Sequence, residues 1–143
     1  MRRAIAEHMV RSSQQAPHVT TVAEADVTDV AALREEWKES FADEGVKLTY
    51  MAFILSAVAR SLQEYPELNA SWTDDGVLVK YRIHLGIAVA VRDGLVVPVI
   101  RDADQISLLE LARAVEGVAE RTHEGKVKAE DVTGGTFTIT NPG

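Results

Sequence analysis

The 143-residue sequence contains no cysteine. That excludes a disulfide framework, a thiolate metal site and a cysteine nucleophile, and it fits a reducing compartment. Long apolar runs are also missing. Stretches such as Ile87-Ala88-Val89-Ala90-Val91 fall far short of the ~20 residues that a bilayer-spanning helix needs. The opening residues 1–9 carry basic side chains with no apolar signal-peptide core behind them, so a cytoplasmic protein is expected. Histidine is scarce, with four residues and no H-x-x-x-H spacing, and no metal is expected. Basic excess is absent too: the net charge of −7 argues against a nucleic-acid binder. What remains is 46% apolar and 26% charged, the balance of a globular protein, in a length that suits one domain with a real core.

Residues 2–14 read as a helix with Ile5, Met9 and Val10 on one side, ended by Pro17. Residues 18–26, rich in Val and Thr, read as a strand. From Thr28, the apolar residues Val30, Leu33, Trp37 and Phe41 recur at helical steps until Gly45 closes the segment. Thr49 caps a third helix reaching about Tyr65, with so little polar face that it should be buried. Asp74-Asp75-Gly76 and Arg92-Asp93-Gly94 are turns between strands, the second joining residues 84–91 to residues 95–100. Ser107-Leu108-Leu109-Glu110 is a capping-box pattern that opens a helix to about Gly125. Residues 128–132 suggest one more helical turn, and residues 136–140 a closing strand. Helices and strands mix without strict alternation, and the hairpin turns favour an α+β fold, a mixed sheet covered by helices.

Four segments occur in a telling order: Arg3-x-Ile5-Ala6-x-x-Met9; Pro17-His18-Val19-Thr20; Gly86-Ile87-Ala88-Val89 with Gly94-Leu95-Val96-Val97-Pro98-Val99; and Gly134-Gly135-Thr136-Phe137-Thr138-Ile139-Thr140-Asn141. Together, at these spacings, they resemble the catalytic domain of the dihydrolipoyl acyltransferases, the acyl-transfer component of 2-oxo acid dehydrogenase complexes. The resemblance covers residues 1–143 as the N-terminal portion of a single acyltransferase catalytic domain. It implies an incomplete chloramphenicol-acetyltransferase-like fold. It also implies a homotrimer with the active site in a channel between subunits, often built into a cubic or dodecahedral core. Coenzyme A would be a substrate, and the lipoyl group would arrive on a separate domain. Lipoyl domains and other components of the dehydrogenase complex would be partners.

In that family a His base activates the attacking thiol, and a hydroxyl stabilises the tetrahedral oxyanion. A thiol is only partly ionised near neutral pH, so a base is needed, and a fixed oxyanion donor contributes about 3–4 kcal/mol. Thr140 aligns with the donor, although strand propensity alone could account for Thr138 and Thr140. The base belongs to His-x-x-x-Asp-Gly, which does not occur here. His8, His18, His84 and His123 are followed four residues later by Ser12, Val22, Ala88 and Val127. His18 reads as a strand-start residue.

Arg34, Thr49 and Asn141 match family contacts to coenzyme A. The first two have a second reading: Arg34 could snorkel to water or pair with Glu35, Glu36 or another acid, and Thr49 could simply cap its helix. Two further contact positions carry Ala90 and Ala119 instead of polar residues. Arg2, Arg3 and Arg11 suggest a solvated face or a trimer arm. The closing strand is expected to lack some of its sheet partners. A non-catalytic trimeric scaffold of the same fold, and an acyl-coenzyme A enzyme that does not use lipoyl groups, are the alternatives.

Overall fold

A computed structural model describes residues 2–92 and 94–141. The first helix, α1 (Arg2–Gln15), leaves Ile5, Met9 and Val10 exposed. The expected strand at residues 18–26 does not form, and residues 17–27 are irregular and exposed throughout. Valine and threonine favour a strand only when a neighbour takes up its N–H and C=O groups, and no described strand lies beside this segment.

Helix α2 (Thr28–Asp43) starts where Asp26 accepts hydrogen bonds from the Thr28 amide (2.9 Å) and hydroxyl (2.6 Å). It ends before Gly45, whose φ of +69° suits the residue without a Cβ. The apolar stripe is half-buried at Val30, Leu33 and Phe41. Helix α3 (Tyr50–Glu64) is the more deeply buried, placing Ala52, Leu55, Ala59 and Leu62 in the core. Helix α4 (Leu108–His123) packs beside it through Leu111, Ala112 and Val118. The capping box at its start is present. Glu110 accepts from the Ser107 amide at 2.7 Å and hydroxyl at 2.8 Å, and Ser107 accepts from the Glu110 amide at 3.3 Å.

Among the described residues the strands form three small sheets. β1 (Ala70–Thr73) and β2 (Gly76–Val79) make a hairpin. The strand expected over residues 84–91 is two strands, β3 (Leu85–Ile87) and β4 (Val89–Val91). The return over residues 95–100 is likewise split, into β5 (Gly94–Val96) and β6 (Val99–Ile100). β4 pairs with β5, and β3 pairs antiparallel with β6. Both breaks have a cause. The Ala88 amide turns away to the Ile139 carbonyl at 2.9 Å, and Pro98 has no amide to give, although its carbonyl accepts from Ile87 at 2.9 Å. Asp93 of the expected Arg92-Asp93-Gly94 turn, and Pro142 and Gly143, lie outside the described residues.

β7 (Phe137–Ile139) runs parallel to β3 in the sheet order β6-β3-β7. It therefore keeps one sheet partner and, among the described residues, has none on its other side. β3 is buried along its whole length between its two neighbours. Its middle residue, Gly86, sits so close to them that an added Cβ would stand 2.8 Å from Val97 Cγ1 and 3.3 Å from Thr138 Oγ1. Below this sheet, Leu55, Leu62, Ile83, Leu85, Ile87, Ile100, Leu111 and Val118 form the main core.

Gly86→Ala should lower stability by about 1–3 kcal/mol, because the added carbon overpacks the centre of the sheet. An unchanged chemical-denaturation midpoint would contradict that crowding. At the capping box, bonding to the Ser107 amide and hydroxyl holds the Glu110 carboxyl below its usual pKa. Because the folded pKa is the lower one, the contribution of Glu110 is present above the usual carboxylate range. It is lost as pH falls through the folded value. The stability gap between the wild type and Glu110→Ala should therefore be widest near neutral pH and shrink on acidification, as read from urea melts across pH.

Candidate active site

Arg34 lies on α2 and reaches across to the loop before α3. Its Nε donates to the Leu48 carbonyl at 3.1 Å, and its Nη1 donates to Glu35 Oε1 at 2.7 Å. The guanidinium stands 5.2 Å from the centre of the Tyr50 ring, over its face. Lys38 also bonds to Glu35; first through this bond and charge, and then through Arg34, the Glu35 carboxyl is held below its usual pKa. The side chain of Arg34 remains 25% exposed, so it is anchored without being sealed off. Arg34 therefore has both the acidic partner and the partial exposure that its position in the sequence allowed.

Thr49 differs from expectation. It occupies the N-cap position of α3 in extended backbone (φ −114°, ψ 160°), yet its side chain makes no capping hydrogen bond. The Oγ1 atom is buried and finds no partner among the described residues. Capping does not account for this residue. A pocket of about 580 Å³ opens here, lined by Thr49, Ala119, Lys47, Glu116 and His123 among others. The neighbouring pocket of about 500 Å³ includes Arg34 and shares Lys47 and Glu116 with it. The fold thus brings Arg34, Thr49 and the Ala119 position onto one continuous surface between α2, α3 and α4. Lys47, Glu116 and His123 carried no sequence signal; only the packing of α4 against the segment before α3 assembles them.

Thr140 follows β7 directly. Along this strand Phe137 and Ile139 are half-buried and pack against the core, while Thr138 and Thr140 are exposed. The two-residue alternation puts Thr136, Thr138 and Thr140 on one face. The Thr140 hydroxyl makes no hydrogen bond among the described residues, so its proton is available to an acceptor. Asn141 is exposed beside it. Neither residue lines the two pockets around Arg34 and Thr49. Ala90 lies opposite Leu95 in the β4–β5 hairpin, and it is exposed. Among the described residues no group of three or more His, Asp or Glu side chains could hold a metal ion, and no helix is long and apolar enough to cross a membrane.

The family of 2-oxoacid dehydrogenases acyltransferase (catalytic domain) matches residues 1–143. The chain belongs to this family. It is 43% identical over 144 residues to the lipoamide acyltransferase component of the branched-chain alpha-keto acid dehydrogenase complex of Bacillus subtilis (strain 168), covering 100% of this chain and 34% of that protein. Among solved structures it is similar to a probable dihydrolipoamide acetyltransferase from Listeria monocytogenes 4b F2365. There the TM-score is 0.93 and the identity 41%, over 99% of this chain and 61% of that one. It is also similar to the cubic core of the pyruvate dehydrogenase multienzyme complex, with a TM-score of 0.92 and 39% identity over 96% of this chain and 58% of that one. The α+β architecture is thus that of the family's catalytic cores. The chain spans about a third of the length of the curated relatives it matches.

Because the Thr49 hydroxyl is buried without a partner among the described residues, Thr49→Val should leave stability unchanged or raise it by about 1 kcal/mol. A loss of similar size in a thermal or chemical melt would mean that the hydroxyl is satisfied in solution.

Proposed function

We propose that residues 1–143 form the N-terminal portion of a single acyltransferase catalytic domain. The domain moves an acyl group between dihydrolipoamide and coenzyme A within a 2-oxo acid dehydrogenase complex. Family membership supports this reading. The structural observation that carries it is the exposed Thr140 hydroxyl, without a hydrogen bond among the described residues, at the end of a strand anchored to the buried β3.

In this reading the sulfur of one thiol attacks the carbonyl carbon of the acyl thioester. A C–S bond forms and the carbonyl oxygen becomes an oxyanion, to which Thr140 donates a hydrogen bond. Collapse of the intermediate breaks the other C–S bond and releases the second thiol. The proton leaves the attacking sulfur for a His base and returns to the departing one. That base is not supplied by this sequence, which has no His-x-x-x-Asp-Gly. Arg34 and Thr49 contact coenzyme A from the pocket surface, and Asn141 contacts it beside Thr140. The orphaned Thr49 hydroxyl, sharing its pocket with Ala119, supports a ligand there. The lipoyl group arrives on a separate domain.

A homotrimer is part of the proposal, built into a larger core of the kind seen in the similar cubic structure. The exposed apolar side chains of Ile5, Met9, Val10, Val19 and Val22 support it, since each is apolar area that assembly would remove from water.

The 143-residue chain alone should show no acyl transfer from acetyl-coenzyme A to dihydrolipoamide. In a catalytic domain that carries this segment and supplies the base, Thr140→Val should lower kcat by about 100-fold and change KM much less, because the donor acts mainly in the transition state. An unchanged kcat would remove Thr140 from the chemistry.

A further inference from the structure

The donor role proposed for Thr140 demands more than a hydroxyl. An oxyanion donor must be held to within a fraction of an ångström, and Thr140 sits just beyond a strand of only three residues at the edge of its sheet. So short a ladder resists slippage weakly. A slip of one residue would turn the donor face toward the core. A slip of two would put Thr138 where Thr140 belongs, with the same side-chain chemistry but a displaced site.

One side chain opposes both slips. Thr136, immediately before β7, makes a two-way bond with the backbone of His84, immediately before β3. Its Oγ1 accepts from the His84 amide at 3.0 Å and donates to the His84 carbonyl at 3.2 Å, while its own amide donates to the same carbonyl at 2.8 Å. Leu85 then falls opposite Phe137, Gly86 opposite Thr138 and Ile87 opposite Ile139. At the far end the Ala88 amide donates to the Ile139 carbonyl at 2.9 Å. Arg101 also holds the approach to the strand, donating to the Glu130 and Thr133 carbonyls, but its bonds stop short of Thr136 and leave the register open. His84 is itself held, since its Nδ1 accepts from the Asp102 amide at 2.9 Å. The clamp is therefore tied to the core strand and to the loop after β6.

We propose that Thr136 is a positioning residue for acyl transfer, fixing the register of β7 on β3 and through it the place of the Thr140 hydroxyl. This rests on the donor role of Thr140. Valine at position 136 keeps the branched shape and strand preference but loses both hydroxyl bonds, leaving the His84 amide unpaired.

The test measures kcat and KM for acyl-coenzyme A and dihydrolipoamide in a complete catalytic domain carrying this segment. The variants are Thr136→Val, Thr136→Ser, Thr140→Val and the Val/Val double variant. Thr136→Val should lower kcat by about 10- to 100-fold with KM nearly unchanged, as expected of a displaced reacting group. Thr136→Ser, which keeps the hydroxyl, should restore most of the loss. In the double variant the loss should be no greater than in Thr140→Val alone, because Thr136 acts through Thr140. A normal kcat for Thr136→Val, a multiplicative loss in the double variant, or no rescue by Ser would overturn the inference while leaving Thr140 as the donor. A normal kcat for Thr140→Val would instead sink the donor role on which the inference stands. If Thr136→Val does not fold, Thr136→Ala replaces it. Should neither fold, the hydroxyl serves stability rather than positioning, and the inference is overturned.

Discussion

The backbone of Leu85-Gly86-Ile87 is shared by everything around it. Both of its edges are used, β6 on one side and β7 on the other, and all three residues are buried. The close approach at Gly86 is possible because it has no Cβ, and Val97 and Thr138 fill that space. The strand is continued at its start by His84, whose backbone takes Thr136 and whose ring takes the amide of Asp102, a non-glycine residue at φ +47°. That uncommon backbone is held by the imidazole and by the bond from the Ala103 amide to the Ile83 carbonyl at 2.9 Å. One three-residue strand thus sets the place of the loop after β6, the split between two hairpin halves, and the line along which Thr140 emerges.

The helical layer contributes a different kind of surface. α2 offers a guanidinium, the segment before α3 offers a buried hydroxyl, and α4 closes the pocket with Glu116, Ala119 and His123. Arg34 has its acidic partner, its carbonyl and its aromatic face already, so structure alone accounts for its placement. Thr49 is the reverse case. A hydroxyl buried with no partner among the described residues opposes folding, and capping does not explain it.

Much of the fold was legible because its signals are local. The stripe of α2, the capping box at Ser107 and the turn before Gly76 each depend on residues a few positions apart, and each formed within a residue or two of its expected place. Residues 18–26 failed as a strand because valine and threonine specify compatibility with a sheet, not the presence of a neighbour. The cap assigned to Thr49 failed because its extended backbone is right while its hydroxyl points elsewhere. The strand over residues 84–91 divided because Ala88 found a better acceptor in Ile139, about fifty residues on, which no local pattern encodes.

The sequence by itself determined the helices α2, α3 and α4 and their order, the family through four spaced motifs, and the absence of thiol chemistry and of a His-x-x-x-Asp-Gly motif. These follow from propensity, periodicity and identity, which are properties of neighbours in the chain. Only the tertiary structure decided that β7 lies parallel to β3, that Thr136 locks to His84, and that Thr49 shares a wall with Ala119. Those facts join residues up to seventy positions apart. They arise from burying apolar surface while pairing every backbone group that burial takes from water, a constraint that acts on the whole fold at once.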